Sequence, residues 1–432
     1  MSHPQEMPSL LFADGDGNIV DLPDLQAAGM AGGIFRRPEL EDFIPLPEGS
    51  ELFVLPDRQP VGYDPQSHEP LLLEDDPYKP GNRVQAVGAF MAPAHTAIFS
   101  SAYVTRHGAP TLPLFAYTAV GWYAGKFWVT GFRSDLDVRQ DCTHFDQHTV
   151  ERKTKIRLKQ KKDNRLIQHL GKCCLTYGCP AARNYFLDRW EAPLPTSPQC
   201  NARCVGCISL QESGCCPSTQ DRITFIPTPK EISSMAVPHL QHADKAIVSF
   251  GQGCEGEPLL QADTIERSVR LIRKETSRGT INLNSNASLP KAVARIADAG
   301  LDSIRVSLNS VQEEKYNLYY RPNGYQFEAV KESIRVMKAK GRFVSLNYFI
   351  LPGFTDSTEE FEALRNFIDE LEPNFIQLRN LNMDPEWYLS VIKHKKDKTP
   401  LGIRTWFEQL RKTFPTLQFG YFNPSLDGLA EV

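Results

Sequence analysis

From Ala192 onward, short apolar runs alternate with longer stretches whose apolar residues recur at helical spacing. The runs Ala192–Ser197, Ala246–Phe250, Ile281–Leu283, Ser303–Leu308, Phe343–Ile350 and Phe375–Leu378 predict six strands. Glu257–Lys274, Leu289–Ala299 and Gln326–Lys340 carry the helical period, and Gly300 and Gly341 close the last two as left-handed C-caps. Thr228-Pro229-Lys230-Glu231 reads as a capping box with proline at the first helical position. Strand–helix alternation of this kind predicts a parallel sheet with right-handed crossovers. In barrels so built, reactive groups sit on the loops that follow the strand C-termini.

Residues 1–145 have another texture. Fifteen of the 32 prolines fall in the first 113 residues, which discourages long helices there. The apolar, aromatic-rich runs Leu112–Trp122 and Phe127–Phe132 flank Tyr123-Ala124-Gly125-Lys126, a sequence suited to a hairpin turn. A small β-rich N-terminal domain is expected, serving as a cover or a substrate-docking module. Residues 146–191 read as a basic linker helix and a cysteine-rich segment. The cations Arg152, Lys153, Lys155, Arg157, Lys159, Lys161, Lys162 and Arg165 suit a solvated linker better than an RNA- or nucleotide-binding face. Residues 384–432 form a C-terminal extension in which Ile403–Thr413 suits a helix and Leu417–Phe422 a strand. This extension is expected over the open side of a barrel spanning 192–383.

Composition narrows the classes. With 432 residues and 41% hydrophobic content, the chain buries a full core and holds two or more domains. A net charge of −4 is too mild to single out nucleic acid or an anionic membrane as a partner. Met1–Leu10 lacks a basic n-region and an apolar h-region, and the uncharged stretch Val84–Thr105 is broken by Pro93 and His95. Neither a signal peptide nor a membrane span is read. Ten cysteines then favour metal or redox use over disulfides, and a reducing cytoplasm is expected.

The chemistry concentrates at Cys200-Asn201-Ala202-Arg203-Cys204-Val205-Gly206-Cys207, where three thiols fall within eight residues. Thiolates at such spacing hold iron–sulfur clusters. Three of them on a four-iron cube would leave one iron open for chemistry. Two other readings exist. The positions i, i+4 and i+7 share a helix face and would suit buried core thiols, although Pro198, Asn201 and Gly206 argue against an undisturbed helix. Zinc would need Cys215 or Cys216 as a fourth thiolate.

Cys-x3-Cys-x2-Cys also resembles the signature of the radical S-adenosylmethionine (SAM) superfamily. The resemblance continues in order along the chain. Gly256-Glu257-Pro258 after the second strand is similar to the family's Gly-Glu-Pro. Asn284-Ser285-Asn286 stands where the family often has Thr-Asn-Gly. The fourth strand ends in Ser307-Leu308-Asn309-Ser310, where alternation puts Ser307 and Asn309 on one side, opposite Leu308, and Leu351–Asp356 resembles a family loop after the fifth. Gly206 departs from the pattern, because the family usually has an aromatic before the third cysteine. The matches span roughly residues 192 to 380.

That resemblance implies an α/β fold with a partial (β/α)6 TIM-like barrel. It implies a [4Fe-4S] cluster on Cys200, Cys204 and Cys207, with SAM held by Gly256, Glu257, Asn284, Ser285, Ser307 and Asn309. In the family the Gly-Glu-Pro segment receives the methionyl amino group. One electron, from a donor such as flavodoxin or ferredoxin, would cleave SAM to methionine and a 5′-deoxyadenosyl radical that abstracts hydrogen from a peptide, protein or small metabolite. An RNA methyl- or sulfur-transferase and a non-catalytic metal scaffold are the alternatives. No residue is assignable as the catalytic hydrogen-handling group.

Cys173, Cys174, Cys179, Cys215 and Cys216 are candidates for an auxiliary iron–sulfur cluster, or for simple burial as small apolar thiols. Cys254 lies inside the glycine-rich loop, where it suits a ligand, a reactive thiol or a packed residue. Cys142, His144 and His148 suit a surface helix end better than a zinc site.

Overall fold

The computed structural model describes residues 7–427 except 212, 213 and 215. One sheet runs in chain order with every neighbour parallel: β1 (Glu191–Pro193), β2 (Ile247–Phe250), β3 (Thr280–Ser285), β4 (Ser303–Leu308), β5 (Phe343–Ile350), β6 (Phe375–Asn380) and β7 (Gln418–Gly420). Helices between the strands pack on the outside, so β2 and β3 are buried on both faces and read as unbroken apolar or small-polar runs. The result is a partial parallel (β/α) barrel with an antiparallel β-rich N-terminal domain. The C-terminal segment joins the sheet, and β7 adds a seventh strand beside β6.

β1 is shorter than its apolar run because the backbone beyond Pro193 is claimed elsewhere. Leu194 N still donates to Ser249 O of β2, but Thr196 N and Ser197 N both donate to the Glu255 carboxylate. The stretch Glu257–Lys274 divides into a 3-10 turn, Pro258–Gln261, and a helix, Ala262–Glu275. Helices Pro290–Ala299 and Phe327–Ala339 end beside Gly300 (φ 116°) and Gly341 (φ 64°), where only glycine is unstrained.

In the N-terminal domain, Val120–Tyr123 and Lys126–Arg133 form the expected hairpin, with Tyr123 opposite Lys126. Ala124 and Gly125 both have positive φ, as a tight two-residue turn demands. This domain docks on the rim beyond β5 and β6. Asn380 at the end of β6 accepts from Ala97 N at 2.9 Å and donates to His95 O at 3.0 Å, while Gly32 N donates to Pro352 O at 2.8 Å. A buried ion pair, Arg58–Asp384 at 2.9 Å, ties the domain to the start of helix Pro385–Val391.

The basic segment folds into helices Gln147–Gln160, Arg165–Leu175 and Pro180–Phe186. Arg157 grips Asp188 and Arg165 grips Glu231, so two of its cations are spent within the fold. Among the described residues, no helix is long and apolar enough to cross a membrane.

Candidate functional site

The Cys200–Cys207 loop leaves the end of β1 and is not helical. Its backbone is strapped to residues 319–323: Arg203 N donates to Tyr320 O (2.9 Å), Val205 N to Tyr319 O (3.0 Å), and Asn323 N to Asn201 O (2.9 Å). Asn201 also bonds Asn286 and Ser288 in the loop after β3, at 2.8 and 2.9 Å. Three elements therefore fix the loop at the C-terminal rim of the barrel. Cys200, Cys204 and Cys207 are half-buried and line one cavity of about 1320 Å³, with Arg222, Arg321, Tyr325 and Trp387 on its other walls.

The thiols repel one another's charged forms. Burial, then Glu257, pushes Cys200 up to about 11, and burial, then Cys200 and Cys207, pushes Cys204 well above the usual thiol range. A bound cation would relieve both. Their sulfurs are not among the described ligand groups gathered within 4.8 Å. A single zinc bound at roughly 2.3 Å to each sulfur would set the sulfurs only about 3.8 Å apart. A cube that takes one thiolate per corner needs a wider spread, so this donor set fits a four-iron cluster better than a mononuclear ion. Of the two thiols proposed to complete a zinc site, Cys215 lies outside the described residues, and Cys216 is buried in the core within electrostatic reach of Tyr117 of the N-terminal domain.

The glycine-rich loop after β2 stacks directly on this segment. Gly256 N donates to Ser197 O and Glu257 N to Gln199 O, and a Cβ on Gly256 would collide with Gln199 O. A Cβ on Gly251 (φ 78°) would likewise collide with Asn284 O. The Glu257 carboxylate accepts from Leu259 N (3.0 Å), Ser285 Oγ (2.5 Å) and Asn286 N (2.9 Å), binding the loops after β2 and β3 together. Glu255, which sequence reading passed over, accepts from four backbone amides: Thr196, Ser197, Gly251 and Gln252.

Burial pushes both carboxyls up to about 7 against those donors. A carboxyl whose folded value exceeds its unfolded 4.5 contributes stability that is complete below 4.5 and is lost as the pH rises through about 7. Each proton taken up on folding gives a slope of roughly 1.4 kcal/mol per pH unit within that window. Denaturant midpoints should fall across it, and Glu255→Gln with Glu257→Gln should flatten the fall. An unchanged slope in the double variant would refute this pH dependence.

The remaining candidates are divided. Asn284 is buried, with Oδ1 accepting from Asn282 (2.7 Å) and Asn423 (3.3 Å) and Nδ2 left unpartnered. Ser307 is half-buried in β4. β4 ends at Leu308, one residue before Asn309, which is buried. Its Nδ2 turns to Lys315 O (3.2 Å) and Tyr388 Oη (3.3 Å), and its Oδ1 has no partner. The departure at Gly206 has a steric cause: a Cβ there would lie 2.9 Å from Tyr319 Oη and 3.0 Å from Met383 Sδ. Tyr319, from helix Glu313–Tyr320, fills the space where a side chain at 206 would stand.

Deeper in the barrel, Arg305 of β4 reaches across β5 to Gln377 of β6, and Arg379 shares the same Oε1, each at 3.3 Å. Neither guanidinium pairs with a carboxylate among the described residues, and both Nε atoms lack partners. Burial, then Arg379, pulls Arg305 down to about 9. Two cations are crowded around one neutral acceptor, with the Glu191 carboxylate in electrostatic reach of Arg305. The signal for this arrangement, inward-facing arginines two strands apart, is not local in sequence.

Of the candidates for an auxiliary cluster, Cys215 lies outside the described residues, and Cys173, Cys174 and Cys179 are within electrostatic reach of one another. Cys174 faces Thr154 Oγ1 at 3.4 Å, and Cys179 caps helix Pro180–Phe186. Cys173 instead meets His169 and Cys254. The hydrogen bond from Cys254, helped by His169, holds the Cys173 thiol down to about 5. His144 and His148 are both exposed, and His144 only edges Trp190.

The order of strands and the thiol triplet on the rim define a class: a parallel half-barrel with three thiols lining one cavity at its mouth. Residues 194–368 match the family model described as the radical SAM superfamily, and this part of the chain belongs to that superfamily. Its members use a [4Fe-4S] cluster and SAM, and generally need a reductant. The FeMo cofactor biosynthesis protein NifB of Klebsiella pneumoniae is 26% identical over 178 residues, 38% of each chain. A GTP 3′,8-cyclase of Listeria monocytogenes is 27% identical over 169 residues, 38% of this chain and 46% of that protein. Each of these two matches covers less than half of the relative's length. Among solved structures, native anSMEcpe with bound AdoMet has a TM-score of 0.39 at 17% identity, covering 53% of this chain and 63% of that one. The fold assignment rests on the strand order above, not on that superposition.

Proposed function

We propose that the chain is a radical SAM enzyme whose cluster is held by Cys200, Cys204 and Cys207, acting on a substrate with an anionic group. The observation that carries the reading is the set of three thiols on one cavity wall, beside the Gly256–Glu257 loop and with no fourth protein ligand among the residues lining that cavity. When bound, cluster and SAM together supply a carbon radical that takes hydrogen from the substrate.

The chain's own residues do the positioning. Gly256, with no side chain to intervene, exposes its backbone beside Cys200, and Glu257 locks that backbone to Ser285 and Asn286. The free Nδ2 of Asn284 and the free Oδ1 of Asn309 are a donor and an acceptor with unspent capacity, and Ser307 adds a hydroxyl on the barrel wall. Gly256, Glu257, Asn284, Ser285, Ser307 and Asn309 would meet SAM. Tyr319, Tyr320 and Tyr325 lie within electrostatic reach of Cys204, while the N-terminal domain docks on the rim beyond β5 and β6. An acidic one-electron carrier of the flavodoxin or ferredoxin type is the expected partner.

Arg305 and Arg379 assign the substrate a carboxylate or phosphate. Millimolar inorganic phosphate should raise the denaturation midpoint of the wild type and leave Arg305→Gln/Arg379→Gln unmoved; equal shifts would remove this part of the reading. For the reaction class, the test is anaerobic iron analysis with a 5′-deoxyadenosine assay after dithionite. Bound iron and deoxyadenosine are expected. Protein without iron or deoxyadenosine would leave only the scaffold reading.

A further inference from the structure

Apart from the residues that line the cavity, His169, Cys173 and Cys254 bring one nitrogen and two sulfurs within 4.8 Å of one another. His169 and Cys173 are four residues apart on helix Arg165–Leu175, so one helical face presents both. His169 Nε2 stands 3.6 Å from Cys173 Sγ. Cys254 arrives from the loop after β2, and both thiols are buried. Helix and loop are remote in sequence, so the arrangement is a product of the fold rather than of local spacing.

We propose that His169, Cys173 and Cys254 form a binding site for a single thiophilic divalent cation, zinc. Bonds of roughly 2.0–2.3 Å from one ion place ligand atoms about 3.3–3.8 Å apart, a small contraction of the spread already present. A cube would demand a wider set, the opposite of what is found at Cys200, Cys204 and Cys207. The fourth corner falls to water or to Cys179, whose amide donates to Cys173 O at 3.1 Å. Cys254 lies two residues before Gly256. An ion here would therefore staple the loop that flanks the signature thiols to the linker helix, and Ile223 N, which donates to Cys254 O at 2.8 Å, already holds the same turn. The site is independent of the cluster reading, since it shares no ligand with it.

Zinc and iron should be counted in anaerobically purified full-length chain after dialysis against a weak chelator. About one zinc per chain is expected in the wild type. Cys173→Ser/Cys254→Ser should lower zinc retention at least about tenfold with iron unchanged. Cys200→Ala/Cys204→Ala/Cys207→Ala should do the reverse, losing iron and keeping zinc. Wild type that takes up no zinc, a double variant that keeps it, or a double variant that loses iron instead would overturn the proposal, the last in favour of an auxiliary cluster. Should the double variant fail to fold, cobalt(II) added to the zinc-free triple variant decides the matter. Intense thiolate-to-cobalt absorption with tetrahedral bands supports the site, and its absence rejects it. Loss of iron or deoxyadenosine bears only on the cluster, so the two readings fail separately.

Discussion

Cys204→Ala should cut iron in the reconstituted chain from about four per molecule to under about one, and 5′-deoxyadenosine formation by at least about a thousandfold. Cys204 is the central thiol of the three. It repels Cys200 and Cys207 as thiolates, and Tyr319, Tyr320 and Tyr325 enclose it. A serine or water in its place would have to bind iron in a pocket shaped for sulfur. Cys174→Ala is the control, because that thiol faces Thr154 and lines no cavity with the others. Iron analysis and product chromatography check both, and retention of four irons in the Cys204 variant would contradict the assignment.

Asp384→Ala should destabilise the fold by about 3–5 kcal/mol, the cost of leaving a buried guanidinium uncompensated. Arg58 and Asp384 are each 3% exposed at the side chain. Arg58 also donates to Pro56 O and Pro110 O, so it is held in place and cannot swing out to water. The same carboxylate accepts from Leu112 N and caps helix Pro385–Val391 through Glu386 N and Trp387 N. Removing it strands a charge and several donors at once. Replacing both partners with apolar residues of similar volume, as in Arg58→Met/Asp384→Leu, should recover much of the loss. Denaturant unfolding followed by probes in each domain checks this, and a single-variant cost under about 1 kcal/mol would show that the pair does not hold the domains together.

How much of this is legible in the sequence depends on whether a feature is local. β2 to β6 are readable because each contains a short run in which every second residue or more is apolar and buried, a property of the run itself. Gly300 and Gly341 are readable because a left-handed C-cap is a property of one residue. The end of β1 is not readable: it is set by Glu255, whose carboxylate arrives from 59 residues away. The short strand β7 is too brief to announce its partner, and only β6 gives it a place in the sheet.

The site divides the same way. Cysteine spacing and the Gly-Glu-Pro string are local and point to the right rim. The strap of residues 319–323 and Tyr319 standing over Gly206 come from pairing across the fold. The His169–Cys173 spacing was visible as an i, i+4 pair, but a count of cysteines alone passes over the histidine.

Electron paramagnetic resonance of the dithionite-reduced, iron-reconstituted chain, recorded with and without SAM, tests the central claim most directly. The account predicts a reduced [4Fe-4S] signal that shifts when SAM is added and that is missing from Cys200→Ala/Cys204→Ala/Cys207→Ala. A signal indifferent to SAM, or one that survives in the triple variant, would contradict it.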